Sequence, residues 1–179
     1  MKHYFTKNTI LGLALLFIAT SLPSLSQAQV STSTGRSNVV TESMNDNDIR
    51  AIRKIRKYIN EQKFDKALSR ANRIIRAEDK RARSGNSYSE FYKEAYNCTC
   101  VSLTGLGKIE EAMEACNTSI ELTPTHWESL KTRATLYYMV QDFPKSLNDF
   151  TTALDNAPDD TAISDVLKQN IGVVQSKIQ

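Results

Sequence analysis

Over most of the chain, large apolar residues recur every three or four positions, the spacing that lines one face of a helix. Ile49, Ile52 and Ile55 form one such stripe, and Ile163, Val166, Leu167, Ile171, Val174 and Ile178 form another near the C-terminus. Between them, Pro124 and Pro158 each mark the end of a helical stretch. Proline has no amide hydrogen and pushes the residue before it out of the helical region. The pattern predicts an all-α chain.

Two N-terminal stretches depart from it. Lys2 and Lys7 precede "ILGLALLFIATSL" (Ile10 to Leu22), an unbroken apolar run followed by Pro23 and then Ser26-Gln27-Ala28. This order reads as a cleaved secretory signal over 1–28, and it predicts a periplasmic or secreted protein. The alternative is an uncleaved anchor, but thirteen residues reach only about 20 Å as a helix, against a hydrocarbon core of about 30 Å. Residues 29–47, "QVSTSTGRSNVVTESMNDN", are rich in Ser, Thr and Asn and read as a flexible leader. The folded part, 48–179, begins where Asp46 to Asp48 can cap a first helix. With 179 residues, 40% of them hydrophobic and 24% charged, the chain has room for one domain with a modest core.

An internal repeat sets the architecture. "KEAYNCTCVSLTGLGKIEEAMEACNTSIELTPTH" (93–126) aligns without a gap on "WESLKTRATLYYMVQDFPKSLNDFTTALDNAPDD" (127–160), both 34 residues long. Small residues fall at Cys100, Ala112 and Ser119 in the first copy and at Ala134, Ser146 and Ala153 in the second, and Pro124 pairs with Pro158. On these positions the chain resembles the tetratricopeptide-repeat family, with Thr99 and Arg133 standing where that family usually has Leu. A degenerate copy fits 48–81, with "EQKFDKAL" (61–68) at its turn and Ala67 and Ala71 at small sites. Residues 82–92 are an insertion in which Ser87 or Ser89 can cap a longer helix, and 161–178 a capping helix. The resemblance implies a right-handed α-solenoid of antiparallel helix pairs, with about three repeats and a C-terminal cap.

All three cysteines lie in the 93–126 copy. In the family pattern Cys100 is on the face of the first helix that touches the second, and Cys116 is on the second helix where the next copy has Phe150. A disulfide between them would join one helix pair, closing a loop worth about 3 kcal/mol in an oxidising compartment. Cys98 is then left over, as an inert thiol, a dimer-forming thiol or a redox group. A metal site needs three or four ligands, commonly in C-x-x-C pairs. This chain has C-x-C, one distant Cys and His126, so neither a metal nor any other cofactor is expected. With no second histidine in 29–179 there is no Ser/His/Asp arrangement either, and no enzyme is expected. His126 falls at a repeat boundary, where it caps a helix or faces water. The sequons at Asn97 and Asn117 lie in predicted helices and are read as chance.

Charge is unevenly placed. Residues 49–83 carry 13 Lys and Arg against 4 Asp and Glu, a net of +9, whereas 84–179 carry 7 against 13, a net of −6. The basic side chains include Arg50, Arg53, Lys54, Arg56 and Lys57 on the first helix and Arg70, Arg73 and Arg76 on the second. Such an excess suits an acidic protein segment, an anionic membrane surface or other polyanions. Nucleic acid would satisfy the same electrostatics, but export argues against it. The resemblance also implies a groove that takes up extended or helical peptides. Its lining would include Ile52, Arg53 and Arg56, then Glu94, Asn97 and Val101, then Lys131, Thr135 and Tyr138. The Lys, Asn and Arg set with which some members of the family clamp chaperone tails is not reproduced. The expected function is a non-enzymatic scaffold or adaptor for a protein partner. The alternative is self-assembly to a homo-oligomer, basic N-terminal end against acidic C-terminal end.

Overall fold

The computed structural model describes residues 46–178. The signal read over 1–28 and nearly all of the leader read over 29–47 lie outside these residues. Seven helices follow in order: α1 (Asp46–Asn60), α2 (Phe64–Arg83), α3 (Glu90–Gly105), α4 (Ile109–Leu122), α5 (Trp127–Met139), α6 (Phe143–Asn156) and α7 (Thr161–Ile178). Among the described residues there is no strand. Each helix packs on the next, while α1, α3 and α5 also touch in succession. The result is a right-handed α-solenoid of three antiparallel pairs closed by α7.

The pairs turn in the same way. Gln62, Gly107 and Gln141 take left-handed backbone conformations, with φ of 55°, 72° and 63°. After each, an amide reaches back to the preceding helix: Lys63 N–H to Tyr58 O at 2.8 Å, Lys108 N–H to Leu103 O at 3.0 Å and Asp142 N–H to Tyr137 O at 2.9 Å. This closes the helix with a bond that spares an otherwise orphaned carbonyl. Only the middle turn uses glycine, which adopts this conformation without a Cβ penalty.

Close helix approach follows from the small residues. Ala67, Ala112 and Ser146 are fully buried, as are Ser119, Ala134 and Ala153. Three apolar clusters run along the stack: Ile52, Ile55, Ile59 and Phe64 at the start, Leu103 and Leu136 in the middle, and Leu130, Phe150, Ile163, Leu167 and Val174 at the end. Cys100 and Cys116 meet in the middle cluster, joined sulfur to sulfur with Cα atoms 5.1 Å apart, a separation suited to a disulfide. The pair fills the space that Ala134 and Phe150 fill one repeat later. Gly105 is fixed by packing, since a Cβ there would lie 2.6 Å from the Phe64 ring.

The residues read as an insertion, 82–92, are shared between two helices. α2 continues to Arg83, and Ser89 caps α3, its Oγ accepting the Phe91 amide at 3.3 Å. Buried Glu78 accepts the Ser89 amide at 2.7 Å, and the Tyr92 hydroxyl donates to Asp79 at 2.8 Å. These bonds fasten the long end of α2 to the start of α3.

Replacing Gln62 and Gln141 by Gly relieves a left-handed conformation that costs an L-residue about 1–2 kcal/mol, offset in part by a more flexible unfolded chain. The expected outcome in urea denaturation is a gain of several tenths to about 1 kcal/mol per site. A loss at both sites would contradict this account of the turns.

Candidate functional site

The first helices of the three pairs bring a set of charged and polar side chains onto one face. Arg56 follows fully buried Ile55, so its side chain leaves the edge of the apolar stripe. Its Nη1 donates to Glu128 Oε1 at 2.8 Å, and its Nη2 to Glu128 Oε2 at 2.7 Å and to Glu94 Oε2 at 2.8 Å. One guanidinium thus ties α1 to α3 and α5. Glu128 is in the first turn of α5, where the helix dipole favours a carboxylate. Asn97 completes the link, donating from Nδ2 to Glu128 Oε2 at 3.1 Å.

His126 is the N-cap of α5. Its Nδ1 accepts the Ser129 amide at 3.3 Å, so Nε2 carries the hydrogen and donates to Glu94 Oε1 at 3.0 Å. Buried Ser129 holds the inner layer, with Oγ 3.2 Å from Asn97 Oδ1 and 2.7 Å from Ser119 Oγ. The Ser119 hydroxyl in turn donates to the Lys93 carbonyl at 3.1 Å. The bonds to the Glu94 and Glu128 carboxylates are charge-assisted and stronger than the neutral bonds of this inner layer.

Titration behaviour follows from this arrangement. Burial acts to raise the Glu94 carboxyl, but the hydrogen bond from His126 and the charge of Arg56 outweigh it and bring it from 4.5 down to about 2. Burial opposes the charge on Arg56, yet Glu128 and then Glu94 hold its guanidinium more firmly protonated than usual. Lys131 is lowered, by burial and, in smaller part, by nearby Arg56. Burial pushes the Cys98 thiol up to about 12.

Ligand atoms of Glu94, His126 and Glu128 lie within 4.8 Å of one another. The cation already between the two carboxylates is the Arg56 guanidinium, so the set reads as an ion-pair network.

The expected lining residues are divided among different roles. Arg56, Glu94 and Asn97 join this network, and Arg53 is exposed beside it. Ile52 belongs to the first core cluster, and Thr135 is buried with its hydroxyl donating to the Lys131 carbonyl. Val101 packs against the first cluster, while Tyr138 packs in the last with its ring edge against Phe143. Lys131 lies over the Trp127 ring. Glu128, His126 and Ser129 were not singled out by sequence as lining residues. Their signal was the 34-residue step from Glu94 to Glu128, which puts a second carboxylate at the same register position.

Other sequence candidates are occupied. Asn97 is buried, and Asn117 accepts from Arg133 at 2.9 Å, so both sequon asparagines serve packing. Arg133, at a site the repeat pattern gives to Leu, also pairs with Asp149 through Nε at 2.7 Å and Nη2 at 3.0 Å. Cys98 is buried, with its thiolate disfavoured, which is the reverse of a reactive thiol. Arg53, Lys54, Lys57, Arg73 and Arg76 are exposed on the surface, as is Arg50, whereas Arg70 is half-buried.

Because the folded Glu94 carboxyl is depressed, the stability it contributes is complete above about pH 4.5 and is lost as pH falls through about 2. Glu94→Gln is expected to lower stability at neutral pH by about 1–3 kcal/mol and to flatten the loss between about pH 5 and pH 2. Urea denaturation at neutral pH and across that acid range checks both effects. An unchanged acid slope would show that Glu94 carries none of it.

No family model matches the chain. It is 30% identical over 110 residues to the DnaJ homolog subfamily C member 3 homolog of Dictyostelium discoideum, a match covering 62% of this chain and 20% of that protein. The chain therefore spans about a fifth of that relative's length. Among solved structures it is similar to the P58(IPK) TPR domain, with a TM-score of 0.60 and 17% identity, covering 74% of this chain and 34% of that one. The Sgt2 TPR domain from Aspergillus fumigatus gives 0.59 and 10%, covering 75% and 80%. The first TPR of Spaghetti (RPAP3), bound to the HSP90 peptide SRMEEVD, gives 0.56 and 14%, covering 73% and 92%. The chain thus has the fold of tetratricopeptide-repeat domains.

Proposed function

We propose that the protein is a non-enzymatic scaffold that holds a peptide or protein partner against the face shared by α1, α3 and α5. The observation that carries this reading is the Arg56 network, which fixes side chains of three successive repeats in one half-buried polar floor. A floor fixed before binding avoids much of the cost of ordering side chains on association. Exposed Arg53 beside it favours an acidic segment as the partner. The RPAP3 domain bound to an HSP90 peptide supports peptide capture as a use of this fold. The apolar run over 10–22 supports a site of action outside the cytoplasm.

Photo-cross-linking tests the reading. A benzophenone side chain is placed at Arg53 or Lys131 on the shared face, or at Arg73 on the far side of the first pair. The expected outcome is a cross-linked polypeptide partner from the first two positions and none from the third. Cross-links from Arg73 alone would overturn the groove reading. Cross-links from Arg73 to the acidic half of another copy would favour head-to-tail self-assembly, the reading that the +9 and −6 halves support.

A further inference from the structure

The end of the stack carries a second charged surface, separate from the α1–α3–α5 face. Lys66, Arg70, Arg73, Arg76, Lys80 and Arg83 follow one another along α2 at steps of three or four residues, which puts them on one side of the helix over about 25 Å. The opposite side holds Phe64, Ala67, Ala71 and Ile74 in the first core cluster. All six basic residues are exposed except half-buried Arg70. Among the described residues none of the six has a carboxylate within ion-pair distance. Of the acids in α2, Glu78 and Asp79 are turned onto the start of α3, and Asp65 in the first turn is exposed.

The surface is wider than one helix. Lys54 of α1 and Arg70 of α2 both lie over the Tyr58 ring, at 5.1 and 5.6 Å from its centre. Burial acts to raise the Tyr58 phenol, yet Lys54, Arg70 and Lys66 together bring it below its usual value, as three cations around one ring would. The exposed residues between the charges are Ser69, Ala77 and Arg81, the last paired with Glu78. Protein interfaces enrich Arg but also centre on accessible aromatic and apolar anchors, and on this face the Tyr58 ring is half-buried and overlain by Lys54 and Arg70. A broad cationic face two helices wide suits a flat anionic surface better than a single strand. No helix among the described residues is long and apolar enough to cross a membrane.

We propose that the outer face of α1 and α2 docks the protein on an anionic lipid bilayer, with the α2 stripe against the head groups and the α1–α3–α5 face left open. This goes beyond partner capture and does not depend on it. Each Lys or Arg near an anionic bilayer contributes about 1 kcal/mol, or about fivefold in affinity, screened by salt.

The test is co-flotation of the chain from Gln29 on, which keeps all seven helices, with phosphatidylcholine vesicles with and without phosphatidylglycerol. The expected result is retention on the anionic vesicles alone, reversed by salt. The triple variant Arg70→Gln, Arg73→Gln, Arg76→Gln is expected to bind about a hundredfold more weakly. A second triple variant on the same face, Lys66→Gln, Lys80→Gln, Arg83→Gln, should fall by a similar factor, and circular dichroism confirms that both stay helical. Lys145→Gln, Lys168→Gln, Lys177→Gln removes equal charge elsewhere and should bind like the native chain. Equal binding to neutral vesicles, no binding at low salt, or an equal loss in the last variant would each overturn the proposal. So would binding to soluble polyphosphate with none to vesicles, which would assign the face to a linear polyanion.

Discussion

A guanidinium drawn partly out of water needs carboxylates on more than one side, and Arg56 finds them on two different helices, Glu94 on α3 and Glu128 on α5. Apolar packing holds each pair together and each pair to the next, but that contact is local in sequence. The Arg56 pairs close over 38 and 72 residues and bind the first repeat directly to the third. Removing one partner of such a group costs more than the pair itself contributes, because a charge is left behind without compensation. The network therefore sets the relative placement of three helices, and with it the shape of the face proposed to hold a partner.

Much of the fold could be read from spacing. The 34-residue step, the two prolines and the small positions at Ala112, Ser146 and Ala153 were sufficient for the two later pairs, because close helix approach permits few alternatives. The first pair was harder to delimit. Its extra residues are taken up by a longer α2 and by Ser89 at the start of α3, an arrangement that depends on Glu78 and Asp79 reaching across, and no local rule fixes such a reach. The site was legible only in part. Analogy placed Arg56, Glu94 and Asn97 on one face, and the structure links them there, but analogy assigns directions and not partners. It treated them as separate lining residues and did not foresee that Glu128 and His126 would complete them. Ile52, also expected in the lining, packs with Ile55, Ile59 and Phe64, because at the open end of the stack an isoleucine gains more by joining them than by facing solvent.

The two surfaces have opposite electrostatic character. On the α1–α3–α5 face Arg56, Glu94 and Glu128 satisfy one another within the protein, so recognition there would depend on shape, on a fixed polar floor and on exposed Arg53 at its edge. On the outer side of α2 the six stripe residues have no carboxylate partner among the described residues, and long-range attraction would dominate. One short solenoid can thus offer a specific face and an adhesive one without conflict, since the core of the first pair, from Phe64 to Ile74, lies between them.

The measurement that tests the central claim most directly is a double-mutant cycle between Arg56→Met and Glu128→Gln, read by urea denaturation. If the guanidinium joins the first repeat to the third, the two changes will be non-additive, with a coupling of about 1–3 kcal/mol. Additivity to within about 0.5 kcal/mol would show that the repeats hold their places by packing alone, and the network would lose its role as the frame of the site.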